Sequence, residues 1–210
     1  MRSLWNALTR RAEGPAEITA DVIRLIGLLC IPIAAIGWGP LGGVSLAFAT
    51  GGMVIPRALR LRPGFDILFG IVTLVAVWSS VTDLYVTVKW WDLPVHFALN
   101  GLIAAVGYLL LAHFRIVADE RSLPRPVLST AIVTTALGMT FGVFWEMFEW
   151  FGKNFIDGEI YVGYTDSIGD LLLGGIGSVV AGLTMPIIRA HRRSEPEPQV
   201  DPSTAERRDA

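Results

Sequence analysis

Five stretches of this sequence are apolar and free of Asp, Glu, Lys and Arg: 25–56, 67–82, 93–114, 126–145 and 171–188. A helix needs about 17–25 mostly apolar residues to cross a bilayer. The first stretch carries a dense turn signal, Gly37-Trp38-Gly39-Pro40-Leu41-Gly42-Gly43. Splitting it there yields six crossings. Composition agrees: 52% of residues are hydrophobic, only 17% are charged, and mean hydropathy is +0.53. A soluble domain averages roughly 45–50% apolar and about 25% charged residues, and a soluble chain of this length cannot bury so many apolar faces. The expected fold is therefore all-α: a polytopic membrane helix bundle of six transmembrane helices in one domain, 21–189. The spans are expected at about 21–37, 41–59, 66–88, 93–114, 127–151 and 167–189.

Charge placement supports that count. Basic residues collect in cytoplasmic loops. With six spans, every Arg falls on one side: the N-terminal segment 1–20, then Arg57, Arg60 and Arg62, then Arg115, Arg121 and Arg125, then the block from Arg189. Lys89 and Lys153 fall on the other side. A single span over 25–56 would set Arg24 and Arg57 on opposite faces. Both termini are thus expected in the cytoplasm, with the first span retained rather than cleaved as a signal peptide. The segment 190–210 is rich in Pro, Glu and Arg and is expected to be a disordered cytoplasmic tail. Trp38, Trp90, Trp91, Trp150, Tyr161 and Tyr164 all fall near outer span ends, where aromatic belts form. The basic rim on the inner side is explained by topology, with anionic headgroups as a further partner. Cys30 is the one cysteine, so no disulfide forms within the chain, and it reads as a packing residue.

This topology brings distant polar motifs to one level. Asp92 and His96 open span 4, Glu146 and Glu149 close span 5, and Asp166 and Asp170 open span 6. Asp83, near the outer end of span 3, can join them. Residues three or four apart share a helix face, so Asp92, His96 and Asn100 form one stripe. Glu146 and Glu149 form a second, with Lys153 one turn on. Asp166 and Asp170 form a third, which continues as the small-residue seam Gly174, Ser178 and Gly182, the mark of a span packed inside a bundle.

A carboxylate inside a span costs roughly 2.5–3.5 kcal/mol or more at mid-helix. Several together need protons, a cation, or both. One imidazole with surplus carboxylates suits a divalent metal ion. Asp92, His96, Glu146, Asp166 and Asp170 are the candidate ligands and Glu149 the candidate general base, with Asp83 and Asn100 in support. The Glu-x-x-Glu pair is similar to the inward carboxylates of di-metal bundles, although their Glu-x-x-His pattern is absent. Plainer roles compete. Asp92 and Asp166 suit helix N-caps, Glu149 suits a pair with Lys153, and a lone His96 suits a hydrogen-bonded packing site. The phosphate-binding loop, His-Glu-x-x-His and Gly-x-Ser-x-Gly are missing, and no nucleic-acid partner is expected.

Trp90–Gly101, Trp145–Trp150 and Tyr164–Gly175 read Trp-Trp-Asp-x-x-x-His-Phe-x-x-x-Gly, Trp-Glu-x-x-Glu-Trp and Tyr-x-Asp-Ser-x-x-Asp-Leu-x-x-x-x-x-Gly. In that order they resemble the YjdF-like family of bacterial inner-membrane proteins, best over spans 3 to 6. The resemblance implies the membrane location and the site residues, and it implies no particular reaction. It also implies an acidic residue in span 3, a place that Asp83 can fill. The order of motifs is distantly similar to the VanZ-like proteins, which are linked to glycopeptide-antibiotic resistance. Here Glu-x-x-Glu replaces that group's Glu-x-x-Gln, so a resistance role does not carry over.

Three functions follow as expectations. The first is a metal-dependent membrane enzyme acting on a lipid-linked or envelope substrate. The second is an ion- or proton-coupled small transporter, against which stand the lack of an internal repeat and the confinement of charge to the outer ends of spans 4 to 6. The third is a non-catalytic structural membrane protein.

Overall fold

Prolines set the starts of the long helices. Pro15, Pro40, Pro63 and Pro126 each occupy the first turn of one, where a missing N–H costs nothing. The computed structural model describes residues 2–189 apart from Asp157, Glu159 and Tyr161. The expected tail 190–210 and the belt residue Tyr161 lie outside the described residues. The chain runs α1 (Arg2–Thr9), α2 (Pro15–Gly37), α3 (Gly39–Gly52), α4 (Val54–Ala58), α5 (Pro63–Val81), α6 (Leu84–Thr87), α7 (Asp92–His113), a 3-10 turn (Glu120–Ser122), α8 (Pro126–Phe155), α9 (Tyr164–Leu183) and α10 (Met185–Ile188). No strand occurs among the described residues. Six segments are long and apolar enough to cross a membrane: α2, the pair α3–α4, α5, α7, α8 and α9. The architecture is the expected all-α bundle of six membrane-spanning helices.

Helix ends differ from the expected ones for local reasons. The second span breaks at Met53, because Pro56 has no N–H for the Gly52 carbonyl. The third stops at Val81 rather than 88, where Asp83 turns left-handed with φ 56°. The sixth stops at Leu183. There Pro186 leaves the Gly182 carbonyl without its usual partner, and the Thr130 hydroxyl donates to it from α8 at 3.1 Å.

The spans form two triplets. α2, α3 and α5 pack on one another, as do α7, α8 and α9, and α5 meets α7 between them. Within each triplet small residues allow close approach. A Cβ on Gly43 would stand 2.7 Å from the Ala35 Cβ, and one on Gly101 would stand 2.6 Å from the Gly177 carbonyl oxygen. The triplets share one apolar core, in which Met53, Phe65 and Phe69 join Leu102, Val106, Leu109 and Met185.

At the end of the bundle that holds α1, this apolar packing gives way to charge. Arg24 on α2 forms an ion pair with Asp66 on α5 and reaches Asp21 at 2.7 Å. Its Nε donates to the Met53 carbonyl at 2.9 Å. Arg57 lies 3.0 Å from the same Asp21 and donates to the Arg10 carbonyl at 2.8 Å, which ties the end of α1 to α4. The opposite end, where α5 finishes and α7 begins, holds the polar cluster.

Candidate metal centre

Asp92 is the first helical residue of α7, and His96 follows one turn later. The helix therefore stacks their side chains: His96 Nε2 lies 3.2 Å from Asp92 Oδ1. The same nitrogen lies 4.0 Å from Oδ1 of Asp170, the seventh residue of α9. One ligand atom from each of the three lies within 4.8 Å of the other two. α7 and α9 run parallel in close contact through Gly101 and Gly177, so residues near their starts meet at one level.

Asp170 is the anomaly of the cluster. It is 2% exposed, and neither carboxylate oxygen has a hydrogen-bond partner. Buried polar atoms are nearly always paired, and an unpaired buried carboxylate costs more than a neutral group. This one faces an imidazole and a second carboxylate at ligand distance. A metal ion with ligands at about 2.1 Å holds them roughly 3–4 Å apart. The two measured separations fit that spacing.

The other predicted residues surround this triad at longer range. Asp166, one turn before Asp170, feels the charges of Asp92, Glu146 and His96. Glu149 feels Glu146, His96 and Asp92. Glu146, Glu149 and Asp166 are half-buried. Asn100 lies one turn below His96 and donates to the Gly138 carbonyl at 3.0 Å and towards Ser178 Oγ at 3.4 Å. It props the three helices together beneath the triad. Asp83 stands apart, exposed at its left-handed turn, with its carbonyl accepting from the Thr87 N–H at 3.1 Å.

Of the simpler roles, a hydrogen-bonded His96 fits the geometry, since it pairs with Asp92; capping and a Glu149–Lys153 pair do not. The N-cap positions of α7 and α9 are Trp91 and Gly163, and neither helix start has a side-chain capping bond. Asp92 spends its carboxylate on His96. Lys153 donates to the Val162 carbonyl at 3.2 Å and forms no ion pair with Glu149.

One neighbour was not legible in the motifs. Tyr85, on the short α6, donates its hydroxyl to the Ala76 carbonyl at 3.0 Å and lies in range of Asp92, Glu149 and Asp170. Burial first, then the negative charge of Asp92, push its phenol above the ordinary value. Beside it the Trp91 indole N–H donates to Ser79 Oγ at 3.0 Å. Both side chains are thus tied by hydrogen bonds to α5 near the start of α7. The available signal was position alone: an aromatic residue in the connection that delivers Asp92.

No curated protein and no solved structure matches the chain. A family model described as Predicted membrane protein (DUF2238) matches residues 30–191. That range takes in all three acidic motifs and every residue of the cluster. The chain belongs to this family of predicted membrane proteins, the same one to which its YjdF-like motifs point.

Proposed function

We propose that this is a multi-pass protein of the bacterial inner (cytoplasmic) membrane that holds a divalent metal ion at its outer face and uses it on a lipid-linked or envelope substrate. The observation that carries this reading is Asp170, whose two buried oxygens lack donors while facing His96 and Asp92. Asp92, His96 and Asp170 are the inner ligands, and Asp166 and Glu146 complete the shell. A bound divalent ion polarises a carbonyl or phosphoryl oxygen and generates a nucleophile from water at neutral pH. Glu149, half-buried and one turn after Glu146 on α8, is the base that takes the water's proton. The cluster's level, at the starts of α7 and α9, sets it where a lipid headgroup would lie.

What favours a one-sided pocket over a transport path is the packing beneath it. Asn100, Ser178 and Thr130 continue the polar line away from the cluster, but each is committed to a backbone carbonyl across or along the α7–α8–α9 contact. Thr134 and Ser178 are fully buried there.

Metal analysis of the detergent-purified chain tests the reading. The wild type should carry a divalent metal, and His96→Ala and Asp170→Asn should fall to background while eluting as folded protein. A wild type that binds no divalent metal, even after dialysis against manganese or zinc, overturns it.

A further inference from the structure

The metal-binding reading leaves the opposite end of the bundle, and α1 with it, without a role. α1 has eight residues, about 12 Å of helix, too short to cross a bilayer. It is strongly amphipathic. By helical periodicity Leu4, Trp5, Ala7 and Leu8 share one side, while Asn6 and Thr9 lie on the other. Only part of the apolar side is covered. Ala7 is 1% exposed and Leu4 and Leu8 are half-buried, where α1 packs on α4. Trp5 is 66% exposed.

Two contacts fix where this helix lies. Arg57, at the end of the second span, donates to the Leu8 carbonyl at 3.4 Å and to the Arg10 carbonyl at 2.8 Å. Arg10 in turn pairs with Glu17, in the first turn of α2, at 2.6 Å. The end of α1 is thus level with the start of the first span. The lipid-facing surface begins at that level: Ile18, Val22 and Leu25 of α2 are all about half exposed. An amphipathic helix held there buries its apolar face in the boundary between headgroups and acyl chains, and Trp is a residue type that favours that depth.

Charge names the lipid. Arg11, in the connection after α1, and Arg60, in the turn after α4, are exposed and form no ion pair among the described residues. Free basic side chains beside an interfacial helix attract anionic headgroups. We propose that α1 is an in-plane membrane anchor, with Trp5 set at headgroup level and Arg11 and Arg60 holding anionic phospholipid around it. Arg57 is the clamp that fixes its depth. The same guanidinium pairs with Asp21 at 3.0 Å, which makes the anchor continuous with the Arg24 ion pairs that close the first triplet. The anchor is independent of the metal-binding reading.

The test places a nitroxide at residue 5 by Trp5→Cys and, as the reference, at residue 6 by Asn6→Cys, each in a Cys30→Ser background of the full-length chain. Both positions are exposed, so neither change empties the core. Each protein is reconstituted at one copy per nanodisc, which removes a second copy as the cover, in phosphatidylcholine alone or mixed with phosphatidylglycerol. Collisions with a water-soluble nickel chelate and with oxygen are read by electron paramagnetic resonance. In the anionic discs residue 5 should meet nickel several-fold less than residue 6 does, and oxygen more. The contrast should shrink in neutral discs, and in anionic discs when Arg11→Gln and Arg60→Gln are added. Residue 5 as open to nickel as residue 6 in the anionic discs overturns the anchor. A contrast that is the same in both lipids, or unchanged by the double Arg change, overturns anionic phospholipid as its partner.

Discussion

Asp66 and Arg24 show at the scale of single residues how this chain tolerates charge within its spans. Asp66 is 8% exposed, yet it sits one turn into α5 opposite the guanidinium of Arg24. Breaking such a buried pair from one side leaves an uncompensated charge and costs about 3–5 kcal/mol, whereas apolar replacement of both partners is often neutral. Asp66→Ala should therefore lower the unfolding free energy in detergent by about that amount. The double change Arg24→Met with Asp66→Leu should recover most of it. Equal stability of wild type and Asp66→Ala in a denaturant titration would remove the ion pair from the account. The Asp66–Arg24 pair was invisible in the sequence, because no one-dimensional spacing links residue 24 in the first span to residue 66 at the start of the third. The acids of the polar cluster were visible because they stand at helical spacing at the ends of otherwise uncharged runs. Which of them converge on one point depends on the register between helices, and no one-dimensional pattern carries that.

Register is an element-scale property, and glycine sets it here. α7 and α9 touch backbone to backbone, so a Cβ on Gly177 would run into the Phe97 carbonyl. Gly177→Ala must push the helices apart, and overpacking of this kind costs roughly 1–3 kcal/mol. It also moves Asp170 away from Asp92 and His96, so bound metal should fall along with stability. Gly51→Ala is the matched control, since nothing lies within 4 Å of a Cβ there. It should leave metal content unchanged and leave stability level or raised by up to about 1 kcal/mol. Metal content preserved in Gly177→Ala would show that the centre does not depend on this contact. The small-residue seam of α9 was readable from Gly174, Ser178 and Gly182. Helix endings were not. Arg60, Asp83 and Arg115 all take the left-handed conformation with φ between 54° and 60°, a place where glycine is the usual sign. The end of the third span was accordingly set too late.

For the whole molecule, charge placement sets the expected orientation in the bilayer. An even number of spans would set both flanking segments on one side, and the Arg-rich loops lead us to expect that side in the cytoplasm. In a Cys30→Ser background, Lys89→Cys and Asn154→Cys should react with a membrane-impermeant maleimide in intact cells. Arg60→Cys and Arg125→Cys should react only after permeabilisation. The reverse pattern would turn the Asp92–His96–Asp170 cluster to the cytoplasm and remove envelope substrates from consideration. The division into two triplets has a consequence for biosynthesis. A ribosome delivers α2, α3 and α5 first, and they can settle with their Arg24–Asp66 lock closed before any part of the centre exists. Asp92 and His96 come next, then Glu146 and Glu149, and Asp170 last of all. Until that final helix inserts, Asp92 and His96 lack their partner from α9. The cluster is therefore assembled only when the last span is in place, and a chain truncated before residue 164 should leave its acids without the packing that buries Asp170.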